Sequence, residues 1–596
     1  MVSFESGDIF FEKLSDVRKD PASPAAISLG YGQRSHPQHW LKRIIPVHFL
    51  CRVTLAFCTT ILLASCAGSQ PLTKIGGFTQ QDSLRGSIGR GRAGWDVLKY
   101  DISVKPDINN KTISGVNEIT LYDSGFYYLQ IDLQEPMQLD SAFFENKKTA
   151  FARSGNVYFL FPRDTSARYK IRPGERKLRL YFSGKPREAK QPPWDGGWIW
   201  KQDELGRPFI SVACQGLGAS VWYPCKDHQS DEPDRGASLT ITVSDSLTAV
   251  GNGRLSVKKS NGDGTTSWTW TVVNPINSYL IVPYIGKYVH FGEQMEGEKG
   301  KLDLDYWVLD YNLDKAKNHF NIVKPMMQCF EKWMGPYPFY KDGYKLVEAP
   351  HLGMEHQSAV AYGNKYRNGY MGMDRSGTGW GKNWDFIIVH ESGHEWFGNN
   401  ITAKENADMW IHEAFTTYSE TVFVECQYGL QAANDYVIGQ RKNIANDRTI
   451  IGEYGINKSG STDMYDKGAN LVHTIRQIIN DDQNFRNLLR GLNRDFYHQT
   501  VTTAQIENYI IKKTGKKLDK VFDQYLRTVK IPVLEYTVSD GQLSYRWTNC
   551  VPGFDMPVRL TNGKWIHPTE TFKQLKGETS LQVDPNFYIT VKKSDG

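Results

Sequence analysis

The sequence predicts a multidomain α+β protein, on three observations: its length, the periodicity within each stretch, and the order of those stretches. At 596 residues the chain is too long for one hydrophobic core, so about three domains are expected. From Trp95 to about Gly292 short alternating runs are broken by turn signals, as in YDISVKPDINNKTISGVNEITLY and SWTWTVV, which is the pattern of a β-domain. Helical spacing then dominates from about Asp314 to residue 527, and strand patterns return after Pro532. The expected divisions are 1–65 as a leader, 66–94 as a Gly/Ser/Gln-rich tether, 95–292 as the N-terminal β-domain, 293–530 as an α-rich domain, and 531–596 as a small C-terminal β-module.

The leader has the parts of an export signal. Lys42 and Arg43 precede an apolar run from Val53 to Ala64, too short for the roughly 20 residues of a comfortable membrane span. Leu63-Ala64-Ser65-Cys66 resembles the bacterial lipoprotein box. That resemblance implies a lipid on Cys66, loss of everything before it, and an exported protein anchored to a bacterial membrane, in the periplasm or at the outer membrane. A buried strand or an uncleaved anchor is the competing reading. The net charge of +6 is small and no long Lys/Arg run occurs, so nucleic acid is not expected as a partner. Five cysteines follow Cys66, an odd and scattered set that makes no disulfide framework; only Cys214 and Cys225 are near neighbours.

Within the helical region, a helix is expected from about Asp314 to Trp333, with Pro325 either kinking it or opening a second one. NWDFIIVHESGHEWF reads as a helix stopping at Gly398-Asn399-Asn400. DMWIHEAFTTYSETVFVECQY reads as another, with Asp408 as candidate cap and Gly429 just past its end. Thr502 and Gln505 have the spacing of a capping box.

The chemistry concentrates in His390-Glu391-Ser392-Gly393-His394. Residues four apart lie one turn above each other on a helix, so both imidazoles can reach one metal ion. Glu391 then stands beside the metal without binding it, where it can accept a proton. The motif alone also fits two imidazoles on a solvated face. A catalytic zinc, however, takes three protein ligands, and Glu413 follows His394 by 19 positions on the next predicted helix. Glu420, seven residues further on the same face, is a candidate partner for a ligand His, or else an exposed helix charge.

HESGHEWFGNNIT with the following W..EAF...SE resembles the aminopeptidase N family of gluzincin metallopeptidases, which also contains a leukotriene epoxide hydrolase. PHLGMEHQSAVAYGN is similar to the family's G-x-M-E-N strand, MYDKGANLV to its Tyr-x-Lys-Gly-Ala segment, and ACQGLGASVWYPCKDHQSDEP to its cleft-closing β-loop. The similarity covers roughly residues 95–530. It implies a saddle-like N-terminal β-domain and a thermolysin-like catalytic domain. It further implies one zinc per chain on His390, His394 and Glu413, Glu391 as general base, and Tyr465 as stabiliser of the oxyanion. Glu355 and Gln215 would hold the free ammonium of a peptide substrate, and Gly353 and Met354 would pair with its backbone as an added strand.

Three departures stand out. His356 replaces the family's Asn after Met-Glu, His412-Glu413-Ala414 replaces Asn-Glu-Gly, and the large helical C-terminal domain of many members has no counterpart in 531–596. The expected activity is hydrolysis of the first peptide bond. The alternatives are hydrolysis of a lipid epoxide, or a peptide-binding scaffold that has lost catalysis; the second would be marked by a missing base or ligand, and none is missing.

Overall fold

The computed structural model describes residues 77–163 and 172–595. Cys66 and the whole leader therefore lie outside the described residues. Among the described residues no helix is long and apolar enough to cross a membrane.

Residues 80–93, expected as tether, instead form two short helices, Gln80–Gly86 and Arg90–Ala93. The first is closed by a Thr79/Asp82 capping box, a local signal that the Gly/Ser content obscures. Arg92 is fully buried and paired with Asp132 at 2.6 Å, so this segment is part of the packed structure.

An eight-stranded sheet follows, built on the long strands Trp95–Asp107, Thr112–Asp123 and Gly174–Gly184. A four-stranded sheet contains Gly197–Gln202, Pro208–Ala213 and Tyr284–Gly286. The next strand, Tyr288–Gly297, already belongs to a different, five-stranded sheet with Gly300–Leu309, Tyr344–Glu348, Val360–Tyr362 and Gly353–Met354. The handover between sheets thus falls at Lys287, inside the stretch that alternation assigned to the first domain.

The five-stranded sheet is covered on both faces, and its side chains divide accordingly. Leu346, Val360 and Tyr362 pack into the core shared with the helices, while Val347, Ala349 and Ala361 pack into the core of the N-terminal sheets. Its edge strand, Gly353–Met354, pairs only with Val360–Tyr362.

Leu313–His319 and Val323–Met334 are separate helices, with Pro325 in the first turn of the second, where a missing N–H costs nothing. Cys329 on that helix is bonded to Cys426 near the end of the helix Trp410–Tyr428. Cys214 and Cys225 are free and buried. The pair that bonds is 97 residues apart, one bridge among cysteines whose scatter suggested no disulfide framework.

The C-terminal strands after Pro532 form a four-stranded sheet and a two-stranded ribbon. Leu534, Trp547 and Phe554 from this module belong to the same core as the helices.

Candidate active site

Two helices place the metal-type side chains. Phe386–Gly393 starts where Asp385 caps it, accepting from the amides of Ile387 and Ile388 at 2.9 and 3.3 Å. It ends at Gly393, one turn earlier than the motif string suggests, with His394 as its C-cap in helical conformation. Gly393 is required: a Cβ there would lie 2.3 Å from Ser419 Oγ on the second helix. That helix, Trp410–Tyr428, is buried on every side from 410 to 424, so it runs through the core. Met409 is its N-cap, and Asp408, the expected cap, instead accepts from the Thr503 amide and hydroxyl.

The close approach brings His390, His394 and Glu413 together, with one ligand atom from each lying within 4.8 Å of the others. Glu413 Oε2 is 3.8 Å from His390 Nε2 and 3.4 Å from His394 Nε2. The opposite ring nitrogens are both engaged. His390 Nδ1 donates to Glu420 Oε1 at 2.7 Å, and His394 Nδ1 donates to the Phe397 carbonyl at 3.0 Å. Both rings are thereby oriented so that their Nε2 atoms face Glu413. Glu420 is 1% exposed and also accepts from Tyr436 and Gln440, so it is a buried partner of His390 and not an exposed helix charge.

The electrostatics of this cluster call for a cation. Against the cost of burial, the carboxylates of Glu413, Glu355 and Glu391 push the His394 imidazole up to about 10. Burial, then His394, pushes His390 down to about 3. Burial also pushes the Glu391 carboxyl well above the usual range, with Glu355 and Glu413 adding to it against His394. Glu413 Oε2 is buried and accepts no hydrogen bond. Three carboxylates around two imidazoles, with one carboxylate oxygen left bare, are a donor set suited to zinc.

Glu391 lies against the edge strand, and a Cβ on Gly353 would stand 2.8 Å from its Oε1. Tyr465 follows the short 3₁₀ turn Thr462–Met464 and opens the helix Asp466–Ile479, its ring 6.1 Å from that of His390. Burial and then Glu413, Glu355 and Glu391 hold its hydroxyl pKa far above neutrality, so it stays a donor. Arg375 pairs with the adjacent Asp466 at 2.9 Å.

Glu355 is 2% exposed and joins the cluster from the end of the edge strand. Gln215 Nε2 donates to Glu355 Oε1 at 2.7 Å and approaches Glu413 Oε1 at 3.3 Å, bridging the two carboxylates. Tyr279 also donates to Glu355 Oε1, at 2.9 Å, and Asn399 Nδ2 holds the Glu355 carbonyl at 2.8 Å. No motif marked Tyr279, and Asn399 was read only as part of a helix stop; the folded chain brings both to Glu355. His356 turns to Tyr284, 2.5 Å from Nδ1, so the departure at this position leaves the Glu355 hydrogen bonds to other residues. His412 accepts the Ala403 amide at 2.7 Å, a structural bond beside Glu413.

Fold and site together present a buried His-Glu-x-x-His donor set, completed by Glu413, that could hold a metal ion. Residues 318–525 match the Peptidase family M1 domain. The chain is 20% identical over 397 residues to the Tricorn protease-interacting factor F2 of Thermoplasma volcanium, covering 64% of this chain and 48% of that protein. It is 23% identical over 373 residues to Aminopeptidase B of Homo sapiens, covering 58% and 53%. An M1 zinc metallopeptidase from Deinococcus radiodurans superposes with a TM-score of 0.61 at 19% identity, over 73% of this chain and 95% of that one. The matched segment is about a third of the chain, and the chain spans about half the length of the curated relatives it matches.

Proposed function

We propose that this chain is a zinc aminopeptidase, hydrolysing the first peptide bond at the free amino end of peptides, with one zinc per chain held by His390, His394 and Glu413. The observation that carries the reading is the position of Glu355. It is a buried carboxylate tied through Gln215 to the ligand Glu413, so a group that pairs with it sits next to the metal cluster. The names of the relatives, Aminopeptidase B among them, support the same activity.

When bound there, zinc supplies a Lewis acid for the scissile carbonyl and a more acidic water. The residues of the chain do the rest. A peptide's α-ammonium, with a pKa of about 7.7–8.0, pairs with Glu355 and supplies the positive charge that its burial lacks. Glu391 accepts a proton from the attacking water and returns it to the departing amine nitrogen. The Tyr465 hydroxyl donates to the carbonyl oxygen as negative charge grows there. The unpaired edge of the Gly353–Met354 strand accepts the extended substrate as one more strand.

The test compares a peptide with its N-acetylated form. The free peptide should be cleaved one residue at a time and the acetylated one ignored; efficient cleavage of the acetylated peptide would overturn the assignment.

We also propose export and lipid anchoring through Cys66. The disulfide Cys329–Cys426 supports an oxidising compartment. In a Gram-negative-type host, Cys66→Ala should release the protein from membranes and abolish acyl labelling. Unchanged retention would point to an uncleaved span.

A further inference from the structure

A cavity of about 360 Å³ opens off the site and is bounded by Gln215, Glu413 and Tyr465, with Met409, Arg448 and Lys458 completing its wall. Its place follows from the substrate's own geometry. The first residue's ammonium belongs at Glu355 and Gln215, and its carbonyl belongs between Glu413 and Tyr465. The Cα lies between these points, so the first side chain leaves toward a space that touches Gln215, Glu413 and Tyr465 at once. This cavity does so.

Its charge is one-sided. Glu413, a proposed metal ligand, is the single acid lining it, against the two cations Arg448 and Lys458. Both sit on residues 444–461, a connection pinned from several directions. Ile450 donates to the Leu526 carbonyl at 3.1 Å, Asn457 donates to the Asp82 carbonyl at 3.1 Å, and Arg448 Nη2 donates to the Gly460 carbonyl at 3.1 Å. Arg448 Nε is buried and makes no hydrogen bond. Asp447 Oδ2 stands 3.9 Å from it, while Asp447 Oδ1 accepts from Ser461. Lys458 Nζ is 3.5 Å from Asp82 Oδ2, an oxygen already taken by the Thr79 cap. The pocket wall therefore carries two cations, one paired with Asp447 only at 3.9 Å and the other sharing its carboxylate with a helix cap.

We infer that this cavity receives the side chain of the substrate's first residue and selects an acidic one, aspartate or glutamate. The inference deepens the aminopeptidase reading and rests on it. A guanidinium recognises a carboxylate through paired charge-assisted hydrogen bonds that an amide of the same shape cannot reproduce. Discrimination of Glu from Gln by about tenfold to a hundredfold is the expected size.

The experiment measures kcat/KM on anilides of Glu, Gln, Leu and Lys with the zinc-loaded protein. Glu should exceed Gln by about tenfold or more, with Lys the poorest. Arg448→Gln should bring the Glu-to-Gln ratio close to one, and Lys458→Gln should reduce it less. A measurement on the unaltered protein stands beside the variants: free glutamate should inhibit Leu-anilide hydrolysis at about a tenth or less of the concentration needed for glutamine. A wild type that cleaves Leu or Gln anilides but neglects Glu overturns this inference and leaves the aminopeptidase reading standing. A Glu-to-Gln ratio unchanged in both variants does the same. If none of the four anilides is cleaved, both fall.

Discussion

The proposed metal cluster and the proposed amine anchor differ in how they are built. His390, His394, Glu413 and Glu420 come from two helices within 31 consecutive residues. Gln215, Tyr279 and Glu355 come from three places spread over 140 residues, and meet where the N-terminal sheets press on the catalytic one. The first group depends on helical spacing and one small residue, Gly393, at the crossing. The second depends on two cores holding their relative positions. Metal binding should therefore tolerate disturbances that the anchor does not.

The largest effect tests the cluster itself. His394→Ala should lose zinc and drop activity below detection; full zinc content in that variant would break the ligand assignment. Glu391→Gln should keep zinc while turnover falls by about 10² or more, the scale of general-base loss. Metal analysis beside single-turnover rates separates the two.

A smaller effect is expected at the anchor. Glu355→Ala should cost about tenfold to a hundredfold in kcat/KM on free peptides, from the loss of a hydrogen bond to a charged group. Because N-acetylated peptides lack the ammonium, their rates should move little and the gap should narrow. Tyr279→Phe removes one of the two donors on Glu355 Oε1 and should cost about tenfold or less, without loss of zinc. An effect as large as that of Glu355→Ala would mean that Tyr279 does more than support the carboxylate.

The smallest functional effect should come from Cys426→Ser. Cys426 and Glu413 are 13 residues apart on one helix, about 20 Å. Losing the bridge should remove about 2–4 kcal/mol of stability, read as a lower Tm, with zinc content and kcat intact. A loss of zinc would show that the long helix is not rigid along its length.

The same contrast explains what the sequence let one read. The two ligand helices were legible because spacing by four and by seven is a property of a helix before it packs. The resemblance to known metallopeptidases supplied Glu355, Gln215 and Tyr465, and the structure gathers all three around the cluster. Tyr279 was invisible, since nothing in NSYLIVPYIG announces a partner 76 residues away. The Cys329–Cys426 pairing was hidden for the same reason, while the near neighbours Cys214 and Cys225 stay free. The tether failed differently. Gly and Ser content outweighed a capping box at Thr79 whose helix is worth forming because Arg92 has Asp132 to meet. Glu420 could not be resolved from one strip of helix, because its burial is set by Tyr436 and Gln440 on neighbouring chain.

The bare backbone at Gly353 has a consequence for what the proposed aminopeptidase could tell apart. A side chain there would collide with Ile387 and with Glu391, so the wall along which a substrate is drawn offers amide and carbonyl groups and little else. Such a wall responds to the shape of any extended chain and is indifferent to the letters written on it. Residues after the first would pass with little scrutiny, and the protein would work as a trimmer of mixed peptides, fast where the leading residue suits it and stalled where it does not. Digestion of a defined peptide followed in time by mass spectrometry would display this as a ladder whose pauses follow each new amino-terminal residue.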